Sequence, residues 1–236
     1  MDYTFAFGGI SSADFGAWIT GKGAYNAPAR KYESVNVPGR NGSLTIKGDP
    51  VFEDITVVYP AFIPRNFAQN MAGLRAALTK FSGKQRLADS FHPNEFYLAE
   101  FVEALEVNPA PDAVAGAFEI KFKRDPRRFL LSGEQTTTLT ASGTITNPTE
   151  FASAPLLRVY GNGSVGIGDN TLTISGAGSY TIIDCEMMEA YQGTASRNEN
   201  VTFSQNDFPK LIPGVNNITL GSGITQVRIT PRWWSV

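Results

Sequence analysis

From Leu157 onward the apolar residues come in pairs spaced two apart: Leu157 and Val159, Leu172 and Ile174, Tyr180 and Ile182, Val201 and Phe203, Ile218 and Leu220, Val227 and Ile229. Side chains alternate across a strand, so each pair shares one face of a short extended segment. Polar neighbours take the other face, and Gly, Asn and Pro separate the segments. No helical period competes with this one. Strands that are apolar on one face must bury it against a second sheet, so the pattern predicts an antiparallel sandwich. The 23 Gly and 14 Pro among 236 residues supply the frequent turns such a fold needs.

The first half mixes the same signal with one helix. Asp2–Phe7 alternates as a strand, Ser12–Thr20 is a short aromatic connection, and 21–30 is a loop of Gly, Asn and Pro. Val51–Tyr59 is apolar towards both faces, as expected of a strand inside a sheet. Phe67, Met71, Leu74, Leu78 and Phe81 then fall at helical spacing. The expected helix covers about residues 66–82, with Asn66 as cap, Lys80 near the negative end and Gly83 as left-handed exit. Its stripe reads as core, closing one side of the sheet. Residues 86–91 and 96–107 read as strands joined by the turn His92-Pro93-Asn94-Glu95, and Phe118, Ile120 and Phe122 mark another. Residues 132–149 are rich in Thr, Ser and Gly, which places a boundary near Leu131 and makes this stretch the expected site of first proteolytic cleavage. The fold class is therefore mainly β: an N-terminal domain over 1–130 with one helix, and a C-terminal antiparallel sandwich over 131–236.

Charge and cysteine content narrow the function. The net charge of −2 argues against a protein held to nucleic acid by phosphate contacts. Lys121, Lys123, Arg124, Arg127 and Arg128 form a local basic cluster, expected at an outer surface or against acids of a neighbouring subunit. Cys185 alone excludes an internal disulfide framework. The start has no basic n-region, and no apolar run reaches membrane-spanning length. The expectation is a soluble chain made in a cytosol, with neither membrane insertion nor stable DNA binding.

Each motif that could carry chemistry has a plainer explanation. Gly161-Asn-Gly163-Ser-Val-Gly166 matches the dinucleotide-binding glycine pattern and follows a strand. The next segment is a second strand, so there is no helix N-terminus to hold a pyrophosphate, and a hairpin turn is expected. His92, the single histidine, reads as an exposed turn residue with no Gly-x-Ser-x-Gly elbow beside it. Asp184, Glu186 and Glu189 could be a catalytic or Ca²⁺-binding carboxylate set, or solvated acids crowded on one strand face. Cys185 between them reads as a small buried hydrophobe. Trp233 and Trp234 point to opposite faces, so one belongs to the core and the other is a candidate contact with sugar or protein. No catalytic residue, metal site or cofactor is expected.

The stretch Val35-Asn-Val-Pro-Gly-Arg-Asn-Gly-Ser-Leu44 is the strongest hairpin signal. Asn41-Gly42 suits a two-residue primed turn and leaves Arg40 at the tip. With Ser153-Ala-Pro155-Leu-Leu-Arg-Val-Tyr-Gly, Ile182-Ile183-Asp184, Phe208-Pro-Lys-Leu-Ile-Pro-Gly-Val-Asn216 and Val227-Arg-Ile-Thr-Pro-Arg-Trp-Trp234, this ordered set resembles the distal tail proteins of long-tailed, non-contractile bacteriophages. The resemblance implies an N-terminal β-sandwich with one helix, assembled as a homohexameric ring, and a galectin-like C-terminal sandwich. It implies a virion protein, synthesised in the host bacterial cytoplasm, that joins the tail tube protein to the tail-tip hub or baseplate, with receptor-binding or baseplate proteins as further partners. Pro38, Gly39, Arg40, Asn41 and Gly42 become ring-interface candidates. The competing function is a carbohydrate-binding module for host-surface attachment, with Trp233 and Trp234 as contacts.

Overall fold

The structure, a computed structural model, describes residues 3–21, 26–46, 51–102, 107–109 and 114–236. The chain divides into two compact units, residues 1–128 with Val236 and residues 129–235.

The first unit is built on one antiparallel sheet. Its strands run in the order Ile10–Ser11, Phe5–Phe7, Gln85–Asp89, Glu95–Phe101, Gly116–Arg124, Ile55–Ile63, Trp18–Ile19, with Val107–Pro109 also paired to Gly116–Arg124. Tyr3, just before the Phe5–Phe7 strand, bridges to Ile19 of the strand at the far end of the order, so the sheet rolls over on itself around its core. Its longest ladder pairs Ile55–Ile63 with Gly116–Arg124 over nine residues, from Ile55 opposite Arg124 to Ile63 opposite Gly116. Phe118, Ile120 and Phe122 face Val57, Tyr59, Ala61 and Ile63 in the interior. The Ile55–Ile63 strand starts four residues later than the alternation from Val51 suggested, and lies inside the sheet as expected. Pro60 is tolerated there because its free side faces the short Trp18–Ile19 strand. Its carbonyl accepts the Thr20 amide at 2.7 Å just past the end of that strand, so the missing N–H costs at most one bond at the end of the ladder.

The helix spans Phe67–Thr79 and buries Phe67, Met71, Leu74 and Leu78, as the spacing predicted. Asn66 does not cap it. Its backbone is left-handed and its side chain makes no capping bond. The first orphan amide, that of Phe67, donates instead to the Val114 carbonyl at 3.2 Å. The helix ends at Lys80, before the left-handed Gly83. The paired strands after it are Gln85–Asp89 and Glu95–Phe101. Of the longer strand expected up to Val107, residues 103–106 lie outside the described residues, as do Asp2 of the first strand and 22–25 of the loop.

The second unit is a sandwich of two antiparallel sheets. One has the order Thr137–Leu139, Ile224–Thr230, Leu156–Gly161, Thr181–Asp184, Glu189–Gln192, Ala195–Ser196. The other has the order Gly143–Asn147, Gly214–Leu220, Gly163–Ile167, Asn170–Ile174, Val201–Phe203. Leu157, Val159, Ile183, Val227 and Ile229 meet Ile145, Val165, Ile167, Leu172, Ile174 and Ile218 between them. Residues 132–149 supply an edge strand to each sheet. Thr137–Leu139 is the edge of the first sheet and Gly143–Asn147 the edge of the second. Sparse large apolar residues mark edge strands here, where little side chain has to be buried.

Candidate functional site

Glu33–Asn36 and Ser43–Ile46 pair only with each other, in register from Glu33 opposite Ile46 to Asn36 opposite Ser43. Val35 and Leu44 are cross-strand neighbours on one face, while Ser34, Asn36, Ser43 and Thr45 take the other. Val35, Val37, Leu44 and Ile46 form an apolar stripe that stays 40–49% exposed. A two-stranded ribbon is marginal in water without a surface to pack on. This one presents an apolar stripe that the described residues of its own chain leave exposed.

The hairpin exists where it was expected, but its turn differs. The strands end at Asn36 and Ser43, so six residues connect them. The Arg40 amide donates to the Val37 carbonyl at 3.2 Å, and Gly39 has φ 82°. Pro38-Gly39 thus occupies the centre of a type II turn, where proline presets the first φ and glycine supplies the positive second one. Asn41 is absent from the left-handed residues and Gly42 alone follows at φ 77°, so no primed Asn-Gly turn forms. Arg40 stands exposed at the tip.

The remaining candidates are occupied. His92 is not an exposed turn residue: its side chain is 8% exposed, with Nδ1 2.9 Å from Asp89 Oδ1. Asp89 also accepts the Tyr59 hydroxyl at 2.7 Å and the amides of Phe91 and His92. Burial first, then the charge and hydrogen bond of Asp89, pushes the Tyr59 phenol well above its ordinary value. This network ties the loop after Gln85–Asp89 to the barrel wall. Asp184 and Glu186 both lie against Arg232, 2.7 and 3.9 Å from one of its terminal nitrogens. Asp184 is buried against Arg232, whose two terminal nitrogens donate to its two oxygens at 2.7 and 2.8 Å. Burial alone would raise the Asp184 carboxyl, but the Arg232 fork and the Met187 and Glu186 amides outweigh it and hold the pKa below the usual carboxylate range. Cys185 is buried, and burial with the Asp184 charge pushes its thiol up to about 12. Among the described residues no three His, Cys, Asp or Glu side chains cluster as metal ligands.

Gly161-Asn-Gly163 is not a hairpin turn but the step from one sheet of the sandwich to the other. A Cβ at Gly161 would come within 2.1 Å of the Gly223 carbonyl oxygen, and Asn162 Oδ1 accepts the Ala177 amide at 2.8 Å. Trp233 is in the core, and Trp234 is half-buried, stacked on Phe151 at 4.5 Å with its Nε1 donating to Ala152 O. The basic cluster is largely paired within the chain. Lys123 reaches Asp54, Arg127 reaches Asp125 and Arg128 reaches Glu95, while Arg124 is buried against Tyr97. Arg232 was missed by sequence reasoning, since nothing local links it to an acid 48 residues away.

No protein-family model matches the chain, and no curated protein matches it in sequence. Among solved structures, the Dit protein (gp 19.1) of SPP1 superposes with a TM-score of 0.73 at 12% identity, covering 100% of both chains. This chain has the Dit fold. That SPP1 protein is described as a paradigm of the hub adsorption apparatus in phages infecting Gram-positive bacteria. Baseplate structures of phage p2 in the activated conformation, with Sr and with Ca, match at TM-scores of 0.47 and 0.46 and 8% identity over 97% of each chain. The Dit fold accounts for both units at once, the rolled sheet with its single helix and the sandwich after it.

Proposed function

We propose that this chain is a structural, non-catalytic distal tail protein of a long-tailed, non-contractile phage. In this reading six copies form a ring at the tail tip, which joins the tail tube protein to the tail-tip hub or baseplate. The observation that carries it is the end-to-end likeness to SPP1 Dit across both units at a TM-score of 0.73. The exposed ribbon supports it independently, since its apolar stripe needs a neighbour and a second copy of the same chain is always available. Side-by-side, head-to-tail contacts of this kind close into a ring when the rotation between subunits permits. The N-terminal unit, which carries the ribbon, is assigned the ring contacts, with Pro38–Gly42 at the interface. The burial of Trp233 and the stacking of Trp234 on Phe151 weigh against the carbohydrate-binding alternative.

The mass of the purified chain in solution tests the proposal. A particle of six 25.5 kDa subunits that appears as a ring by electron microscopy is expected. A chain that stays monomeric at high concentration would overturn the assignment.

A further inference from the structure

The outer face of the six-stranded sheet carries two arginines directly opposite each other. Arg158 and Arg228 are register partners on adjacent antiparallel strands. Both point away from the core, because Leu157, Val159, Val227 and Ile229 on the opposite face are buried. Like charges directly opposite on a sheet are destabilising, and Arg127, Arg128 and Arg232 are each offset by an acid. Neither Arg158 nor Arg228 has an ion-pair partner among the described residues. Each guanidinium lies instead over a tyrosine ring, Arg158 at 4.3 Å from the Tyr180 centroid and Arg228 at 5.6 Å from that of Tyr160. Such stacking orients a guanidinium but leaves its charge in place.

A groove of about 380 Å³ lies over the pair. Thr138 flanks Arg228 and Ile182 flanks Arg158 in register, and Thr136 and Thr230 complete one wall. From this arrangement we propose that the groove binds a phosphate dianion, either inorganic phosphate or the terminal phosphate of a monoester. Two fixed positive charges with no acid between them are matched by one group carrying close to two negative charges. A carboxylate or a phosphodiester neutralises only one of them. A phosphate monoester is close to a dianion at neutral pH, with a second pKa of about 6. Its tetrahedral oxygens accept from two guanidinium forks at once, the geometry that arginine suits and lysine does not. Sugar stacking is disfavoured at this place because the faces of Tyr160 and Tyr180 already carry the guanidiniums.

Calorimetric titration of the full chain with inorganic phosphate, glycerol 3-phosphate, dimethyl phosphate and a glutamate-rich peptide, at ionic strength matched with NaCl, tests the site. Inorganic phosphate should bind, and its affinity should fall once the pH is low enough for its dianion to take up a proton; for glycerol 3-phosphate, a monoester, that fall should come at about pH 6. Arg158→Gln and Arg228→Gln should each weaken it by about tenfold. The thermal midpoint of either variant in phosphate-free buffer should be unchanged or raised, since one of two repelling charges is gone. That pattern separates loss of a site from loss of the fold. Glycerol 3-phosphate bound as tightly as phosphate would identify the end of a larger ligand as the natural occupant, and selective binding of free phosphate would identify the ion itself. The proposal is overturned if affinity is the same in both variants, if NaCl reproduces the effect, or if dimethyl phosphate binds as tightly as the monoester. Arginine-dependent binding of the glutamate-rich peptide in place of phosphate would also overturn it, and would make this face a protein-docking surface.

Discussion

Asp184 and Arg232 show how far one pair can shape a local structure. Arg232 holds a left-handed backbone, φ 58°, a conformation that costs an ordinary side chain on the order of 1–2 kcal/mol. The bidentate bond to Asp184 and the Arg232 amide bond to Gly133 O at 2.8 Å hold it there. Removing one partner of a buried ion pair typically costs about 3–5 kcal/mol. Arg232 is partly exposed, so Asp184→Ala is expected to cost about 2–3 kcal/mol in denaturant unfolding. The pH dependence has a definite sign. Because the folded Asp184 pKa lies below its unfolded value, the pair stabilises above the unfolded pKa, and that contribution is lost as pH falls through the folded one. Thermal midpoints followed into acid should therefore fall less steeply in Asp184→Asn than in the parent. Cys185, with its thiol at about 12, should resist alkylation in the native protein and react only on unfolding. A native-state labelling rate equal to that of a free thiol would contradict its burial.

The helix and the ribbon are opposite cases among the elements. The helix is anchored by its apolar stripe, and Leu74→Ala should cost about 2–5 kcal/mol because the side chain is fully buried. Gly116 sits under Phe67 so closely that a Cβ would lie 2.4 Å from the ring, so Gly116→Ala should also destabilise, by about 1–3 kcal/mol. The ribbon contributes little to its own monomer. Val35→Asp or Leu44→Asp should leave the thermal midpoint of the isolated chain nearly unchanged while reducing the oligomer seen by light scattering. Gly42 has φ 77° with open space around its missing Cβ, so Gly42→Val adds backbone strain of about 1–2 kcal/mol without a clash. Trypsin should cut at exposed Arg40 in the monomer and be excluded once subunits assemble. Equal cleavage in both states would remove the ribbon from the interface.

At the scale of the whole molecule the question is what a ring of these subunits offers to DNA. Lys123, Arg127 and Arg128 are each offset by an acid of the same chain, and Lys84 lies between Asp54 and Asp125. Each phosphate contact adds salt-dependent affinity, so paired cations are poor DNA ligands. The purified protein should give no gel shift at physiological salt. Binding lost on changing Lys121 and Lys123 to Glu would show the opposite and place that strand face against DNA.

The period of the apolar residues was sufficient to tell strand from helix, because side-chain direction repeats every two residues in one and every 3.6 in the other. That is why the stripe from Phe67 to Leu78, the alternation at Phe118, Ile120 and Phe122, and the strand pairs beyond Leu157 were legible. Local turn chemistry located the hairpin near Val35, although Pro38-Gly39 and not Asn41-Gly42 forms its turn. Partners distant in sequence were invisible. Nothing near Asp184 announces Arg232, nothing near Asp89 announces Tyr59, and Gly161-Asn-Gly163 reads alike whether the chain stays in a sheet or leaves it. Only the tertiary structure shows that the stripe of Val35, Val37, Leu44 and Ile46 is left open by the described residues of its own chain. Alternation fixes which side chains share a face, but whether that face meets water, core or another chain depends on packing between elements far apart in sequence.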